Sequence, residues 1–207
     1  MNILVLDTET TGISKQDQVI ELAYFEISLQ SMIDDRGFKE TEQYIVDLLK
    51  RTTTQRYFPS CVMNPRAYEV HGIGLLDLMG KTKSKDLEIP KNVKYIIGHN
   101  ISFDKRMIGQ TNKDLINQLE NIKYICTLTL AKTIQKHSNL KFQDNKLDTL
   151  VEFFFPDEAK LLLTEKHSAN YDVVKTFLVF LRLVELLPNL KTWDDVYNFQ
   201  TSLKKVK

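Results

Sequence analysis

Short continuous apolar runs alternate along this chain with segments whose apolar residues recur every three or four positions. Asn2–Leu6 (NILVL) is a run of the first kind and predicts a buried central strand, broken by Gly12 and Ser14. Val19–Ile27 (VIELAYFEI) is longer and β-rich, which predicts a strand paired beside it. Ser31–Arg36 is polar and turn-like. Tyr44, Ile45, Leu48 and Leu49 are spaced like one face of a helix over Thr41–Arg51. Gln55–Met63 predicts a further strand, kinked by Pro59. NPRAYEVHGIGLLDLMG reads as a turn and then a short helix near Gly72–Met79, and Lys81–Lys91 as a lysine-rich polar connector. Val93–Gly98 and Ile122–Thr127 are again short apolar strands. Each leads into a helical stretch, the first with Ser102 as candidate N-cap and the second through TLAKTIQKH. Asn145–Phe154 predicts a helix stopped by Pro156, and two more helices are predicted over 170–187 and 192–204.

Strands that come early and then alternate with helices predict an α/β fold, a mixed β-sheet flanked by helices on both faces. No linker and no internal repeat divides the 207 residues, so a single domain over 1–207 is expected, long enough to bury a full core. The motif-bearing part is about 2–186, with an extra C-terminal helix at about 192–204. The formal net charge of +1 does not point to a strongly basic nucleic-acid binder, but it leaves room for a local basic strip such as Lys81–Lys91 or Lys204, Lys205 and Lys207. Cys61 and Cys126 stand outside any CxxC, in predicted strands, as expected of free thiols in a reducing cytoplasm. The N-terminus has no basic n-region, and no segment approaches the ~20 apolar residues of a membrane span. The longest candidate, Val173–Leu187, is interrupted by Lys175, Arg182 and Glu185. A cytoplasmic protein without membrane association is expected.

The first strand runs into two acids, Asp7 and Glu9, in ILVLDTETTG. Residues at i and i+2 of a strand point to one side, so both carboxylates leave it together. Two adjacent unpaired acids repel, and a hard divalent ion held by oxygen ligands would relieve that repulsion. A solvated loop start would also explain them. Asp104 in GHNISFDKRM falls near the start of a helix, where an acid also suits the helix dipole. In HSANYDVVKT, His167 precedes a long apolar helix and Asp172 lies in its first turn, another position with a dipole explanation. Taken alone, His167 reads as a surface loop residue and Phe103 as a core residue.

In order, however, ILVLDTETTG, GHNISFD and HSANYD resemble the three motifs of the DEDD exonuclease superfamily, whose fold is similar to ribonuclease H. His167, four residues before Asp172's predecessor Tyr171, places the resemblance in the histidine subgroup. The tyrosine subgroup would need a tyrosine where Ser168 stands. EVHGI at Glu69–Ile73 is a softer match, and NPRAYEVHGI followed by YICTLTLAKTI is laid out as in exonuclease X and similar to the proofreading subunit of DNA polymerase III. One departure is extra length between VIELAYFEI and EVHGI, including the predicted helix Thr41–Arg51.

The resemblance implies 3′→5′ hydrolysis of phosphodiester bonds at single-stranded or frayed DNA ends, releasing nucleoside monophosphates. It implies two Mg²⁺ ions, with Mn²⁺ able to substitute, held by Asp7, Glu9, Asp104 and Asp172, and His167 as general base for the attacking water. It also implies backbone contacts from Thr8 and Thr10 to the terminal nucleotide. His71, Ile73 and Phe103 are candidates to wedge or stack on the last bases, and Asn100 to orient the site, with packing and capping as their ordinary explanations. The expected partner is nucleic acid with a free 3′ end, DNA in preference to RNA. Trimming of RNA ends, and a proofreading or interaction role beside a DNA polymerase or a replication or repair protein, are the alternatives.

Overall fold

The structure is a computed structural model, and it describes residues 2–28, 42–164, 168–187 and 189–202. Its centre is β1 (Asn2–Thr10), which pairs antiparallel with β2 (Val19–Ser28) and parallel with β5 (Val93–Gly98). β6 (Lys123–Cys126) extends the sheet beyond β5 in parallel. On the other side come β3 (Thr53–Phe58), antiparallel to β2, and the two-residue β4 (Thr82–Lys83), parallel to β3. The order is β4-β3-β2-β1-β5-β6, a mixed six-stranded sheet as the alternation of elements predicts.

The strand period decides which core each residue joins. Along β1, Ile3 and Val5 face one side, with Ala23, Phe25, Tyr95 and Ile97 of neighbouring strands. Covering that side are α6 (Thr127–His137), α7 (Leu147–Phe154) and α9 (Ala169–Glu185), the last buried along most of its length. Leu4 and Leu6 face the other side and pack with Leu22, Ile96 and residues of α4 (Ser102–Thr111) and α5 (Ile116–Glu120). α1 (Glu42–Arg51) forms where its apolar face predicts, burying Ile45 and Leu48 in the α9-side core. α8 (Ala159–Leu162) is one short turn between α7 and α9. α10 (Trp193–Ser202) closes the described chain.

Several local expectations are corrected. β1 does not stop at Leu6; its ladder with β2 carries on through Thr10, so Asp7 and Glu9 are strand residues. β3 stops at Phe58, before Pro59, which has no N–H to give a ladder, and Cys61 lies in a bend instead of a strand. The segment read as a turn is α2 (Pro65–His71). Asn64 Oδ1 accepts from the Arg66 N–H, Pro65 opens the first turn, and Gly72 at φ 69° ends it. The predicted helix over Gly72–Met79 shrinks to α3 (Leu75–Leu78). Ser102 is the first residue of α4 and makes no cap; Ile101 precedes it, after a turn in which Asn100 takes φ 64°. The lysine-rich connector contains β4 and a 3₁₀ turn, because Leu87 and Ile89 within it are buried. Ser31–Arg36 and the basic tail Lys204, Lys205 and Lys207 lie outside the described residues, within which no helix is long and apolar enough to cross a membrane.

α10 is held to the sheet by an aromatic anchor, a charged clamp and Gln200, whose side-chain oxygen accepts from the Cys126 N–H of β6 at 2.9 Å. Trp193 stacks on Phe180 of α9 at 5.6 Å between centroids and 6° between planes, and leans on Tyr95 of β5. The Tyr95 hydroxyl donates to Asp194 Oδ1 at 2.7 Å, and Lys123 pairs with the same oxygen. Truncating a buried tryptophan leaves a cavity that such packing closes poorly. Trp193→Ala is therefore expected to lower unfolding free energy by about 3–5 kcal/mol in urea titrations.

Candidate functional site

The β1 alternation that sorts the core also sorts the acids. Asp7 and Glu9 continue the Ile3–Val5 row and face α9; Thr8 and Thr10 continue the Leu4–Leu6 row. Asp172, in the first turn of α9, meets the first pair. Asp7, Glu9 and Asp172 each offer a carboxylate oxygen within 4.8 Å of the others. Asp104, in the first turn of α4, stands outside that mutual distance and reaches β1 through Thr8, whose hydroxyl donates to Asp104 Oδ1 at 2.7 Å. Asp104 is almost fully buried. His167 lies outside the described residues, while Ser168 sits at the N-cap position of α9 and its carbonyl accepts from the Asp172 N–H.

So much negative charge in a sheltered place is costly, and the carboxyls show it. Burial first, then the charges of Asp104, Asp172 and Glu9, hold the Asp7 carboxyl well above the usual range. Burial and the Asp172, Glu21 and Asp104 charges push Glu9 up to about 9. Glu21 is its cross-strand partner and is itself paired with Arg56 at 2.6 Å. Burial raises Asp104 to about 7, opposed by the Thr8 hydroxyl. Among the described residues, the cation inside this group is Lys175 of α9, which pairs with Asp172 and with Asp148 Oδ1 of α7, the latter at 2.8 Å. Burial pulls the Lys175 ammonium down, but the two carboxylates more than offset that and leave it above its ordinary value. An oxygen-only donor set with excess buried negative charge fits a hard divalent cation, with Asp7, Glu9 and Asp172 as the residues to hold it.

Two cavities open onto the acids. One, of about 340 Å³, is lined by Thr8, Glu9, Thr10, Gly12, Ile13, Asn64, Arg66, Ala67, Val70, His71 and Phe103. His71 braces it: Nδ1 accepts from the Ile73 N–H at 3.0 Å, which leaves Nε2–H to donate to the Thr10 carbonyl at 3.2 Å. The Arg106 guanidinium lies over the Phe103 ring. Ile73 takes no part in this wall; it is 5 % exposed and packs with Ile20 and Leu78, so the stacking role expected of it gives way to core packing. The other cavity, of about 800 Å³, is lined by Asp7, Asp172, His99, Asn100, Lys132, Asn145 and Asp148, among others. His99 pairs with Thr127 Oγ1 at 2.9 Å, and burial lowers it to about 4, so it is neutral.

Sequence reasoning missed the Asn64–Val70 wall, because the helix there was read as a turn, although Asn64, Pro65 and Gly72 carry its cap signals. It also missed the pairing of Lys175 with Asp148. Nothing in the local sequence brings α7 to α9; only their packing does.

A mixed sheet of this order with acids on its central strand is a ribonuclease H-like exonuclease fold. It is shared with a solved structure described as exonuclease X in complex with 5′ overhanging duplex DNA (TM-score 0.62, 18 % identity, 96 % of this chain and 99 % of that one). Escherichia coli exonuclease I in complex with a dT13 oligonucleotide is also similar (TM-score 0.66, 15 % identity, 91 % of this chain and 42 % of that one). Residues 4–180 match the Exonuclease family (RNase_T), and the chain belongs to that family. In sequence it is 28 % identical over 193 residues to the PolC-type DNA polymerase III proteins of Thermotoga petrophila and Thermotoga maritima, covering 90 % of this chain and 12 % of each relative. The chain thus spans about an eighth of the length of these relatives.

The raised carboxyls give a measurable linkage. In the metal-free protein, Asp104 and Glu9 keep protons that the unfolded chain releases above about pH 4. From there to about 7 for Asp104, and to about 9 for Glu9, the folded state binds more protons than the unfolded one, so stability falls as pH rises. The expected result is a Tm that declines from about pH 5 to about pH 9 in chelator, and a decline that saturating Mg²⁺ or Mn²⁺ removes. A pH-independent Tm in chelator would contradict it.

Proposed function

We propose that this chain is a 3′→5′ exonuclease of the histidine subgroup that shortens DNA at single-stranded or frayed ends, using Mg²⁺, with Mn²⁺ able to replace it. The observation that carries this reading is the clustering of Asp7, Glu9 and Asp172 on the α9 side of β1, beside a cavity of nucleotide size. When bound, two divalent ions supply the charge that stabilises the attacking and leaving oxygens of phosphodiester hydrolysis. Asp7, Glu9 and Asp172 hold them, and Asp104, oriented by Thr8, completes the set. His167 is the general base, a role that suits an imidazole because the ordinary pKa of that side chain, about 6.5, lies near neutrality. Thr8 and Thr10 bind the terminal nucleotide through their backbone. His71 keeps that strand end in place, and Phe103 offers a ring face to the last base. Asn100 helps shape the wall of the larger cavity.

The similarity to PolC-type polymerases favours a second reading, in which the same hydrolysis serves a polymerase as proofreading. Hydrolysis of RNA ends by the same residues is the other form of the reaction. A time course on 5′-labelled DNA and RNA strands, with and without Mg²⁺ or Mn²⁺, separates the DNA and RNA forms. The expected result is a metal-dependent ladder shortening from the 3′ end, faster on DNA, and none on a 3′-blocked strand. Asp7→Ala should slow it by at least about a hundredfold. If blocked and unblocked strands stay equally intact with metal present, the nuclease reading fails. Faster shortening of RNA would assign the ribonuclease form instead.

A further inference from the structure

Lys175 lies one turn after Asp172, on the same face of α9. It is the one fully buried lysine among the described residues, at 1 % exposure, and such burial requires close partners. Both of its partners are carboxylates: Asp172, one of the three clustered acids, and Asp148 of α7, 2.8 Å away. Asp148 belongs to none of the motif acids, yet it lines the same cavity as Asp7 and Asp172. The ammonium therefore sits against a carboxylate that a divalent ion would also need. Two cations drawn to one carboxylate repel each other, and in a sheltered site that repulsion is only weakly screened.

We propose that Lys175 is a positioning residue that serves as a built-in counter-ion for Asp172, tethered by Asp148, and that it competes with divalent metal for that carboxylate. The inference rests on the nuclease reading. In the metal-free protein the ammonium balances part of the charge of the cluster. When a divalent ion takes Asp172, Lys175 moves wholly onto Asp148, so it is never left buried and unpaired. Asp148 is then the residue that makes the exchange possible: without its charge, Lys175 keeps Asp172 as its ion-pair partner among the described residues and stays on it. Metal loading is thereby tied to a small displacement at the α7–α9 contact.

The two positions have opposite signs, which a simple structural brace would not produce. Mn²⁺ binding to the full chain, measured by calorimetry without nucleic acid, should be at least about tenfold tighter in Lys175→Met, about 1.4 kcal/mol. In Asp148→Asn it should be weaker by about threefold or more, because the lysine now holds Asp172 alone. The Mn²⁺-induced rise in Tm should change in the same directions. If Lys175→Met does not fold, Lys175→Gln carries the same test. Unchanged or weaker Mn²⁺ binding in the lysine variants, or a shift of both positions in one direction, would overturn the inference. If the wild-type chain still binds Mn²⁺ and shortens DNA in that case, only the role of Lys175 falls. A wild-type chain that neither binds Mn²⁺ nor shortens DNA would remove the nuclease reading and this inference together.

Discussion

Buried negative charge on the middle strand is the constraint around which the molecule is arranged. β1 pairs with β5 through Val5 and with β2 all the way to Thr10, so the end that carries Asp7 and Glu9 is held to the sheet by β2 and its side chains stay on two faces. That rigidity brings Asp7 and Glu9 to one side and fixes them there although their charges repel. A loop carrying the same residues would turn one of them out to water. The strain appears in the raised Asp7 and Glu9 carboxyls, and the surrounding structure answers it piece by piece. Lys175 pairs with Asp172, Arg56 with Glu21, and Thr8 donates to Asp104.

The same alternation separates two kinds of acid. Three carboxylates gather on the α9 side, while Asp104 arrives from the α4 side and is joined to the strand by a hydroxyl. A four-acid motif read along the chain does not contain that division. It comes from the two helices lying on opposite faces of the sheet, so that each can present an acid only from its own side. Under the nuclease reading, Thr8 is therefore more than a spacer between Asp7 and Glu9, since its side chain fixes Asp104 to the strand end from the α4 side.

The environment of the site is as particular as its acids. α2, capped by Asn64 and ended by Gly72, forms one wall of the smaller cavity and supplies Arg66, Ala67 and Val70. His71 ties the end of that helix to the Thr10 carbonyl, so the wall and the acidic strand are held together. On the far side, His99 and Asn100 follow directly from β5, with Asn100 in the left-handed region that asparagine tolerates.

Much of this was legible in the sequence because it depends on local pattern. The apolar runs Asn2–Leu6, Val93–Gly98 and Ile122–Thr127 are short and rich in β-branched and aromatic residues, which predicts strands, and each falls on one, though β6 is mostly half-buried. The period of two was enough to put Asp7 and Glu9 on one side. Asn64, Pro65 and Gly72 carry cap signals for α2, which the reading of NPRAYEVHGI as a turn does not use. What the sequence alone could not decide is anything set by contacts between distant elements. Ile73 looks like a base-stacking residue beside His71, yet Ile20 and Leu78 enclose it. Lys175 looks like an interruption of an apolar helix, and becomes a buried counter-ion only because α7 brings Asp148 within 2.8 Å. Periodicity sets which face a side chain takes; packing sets what it meets there, and electrostatics depends on the second.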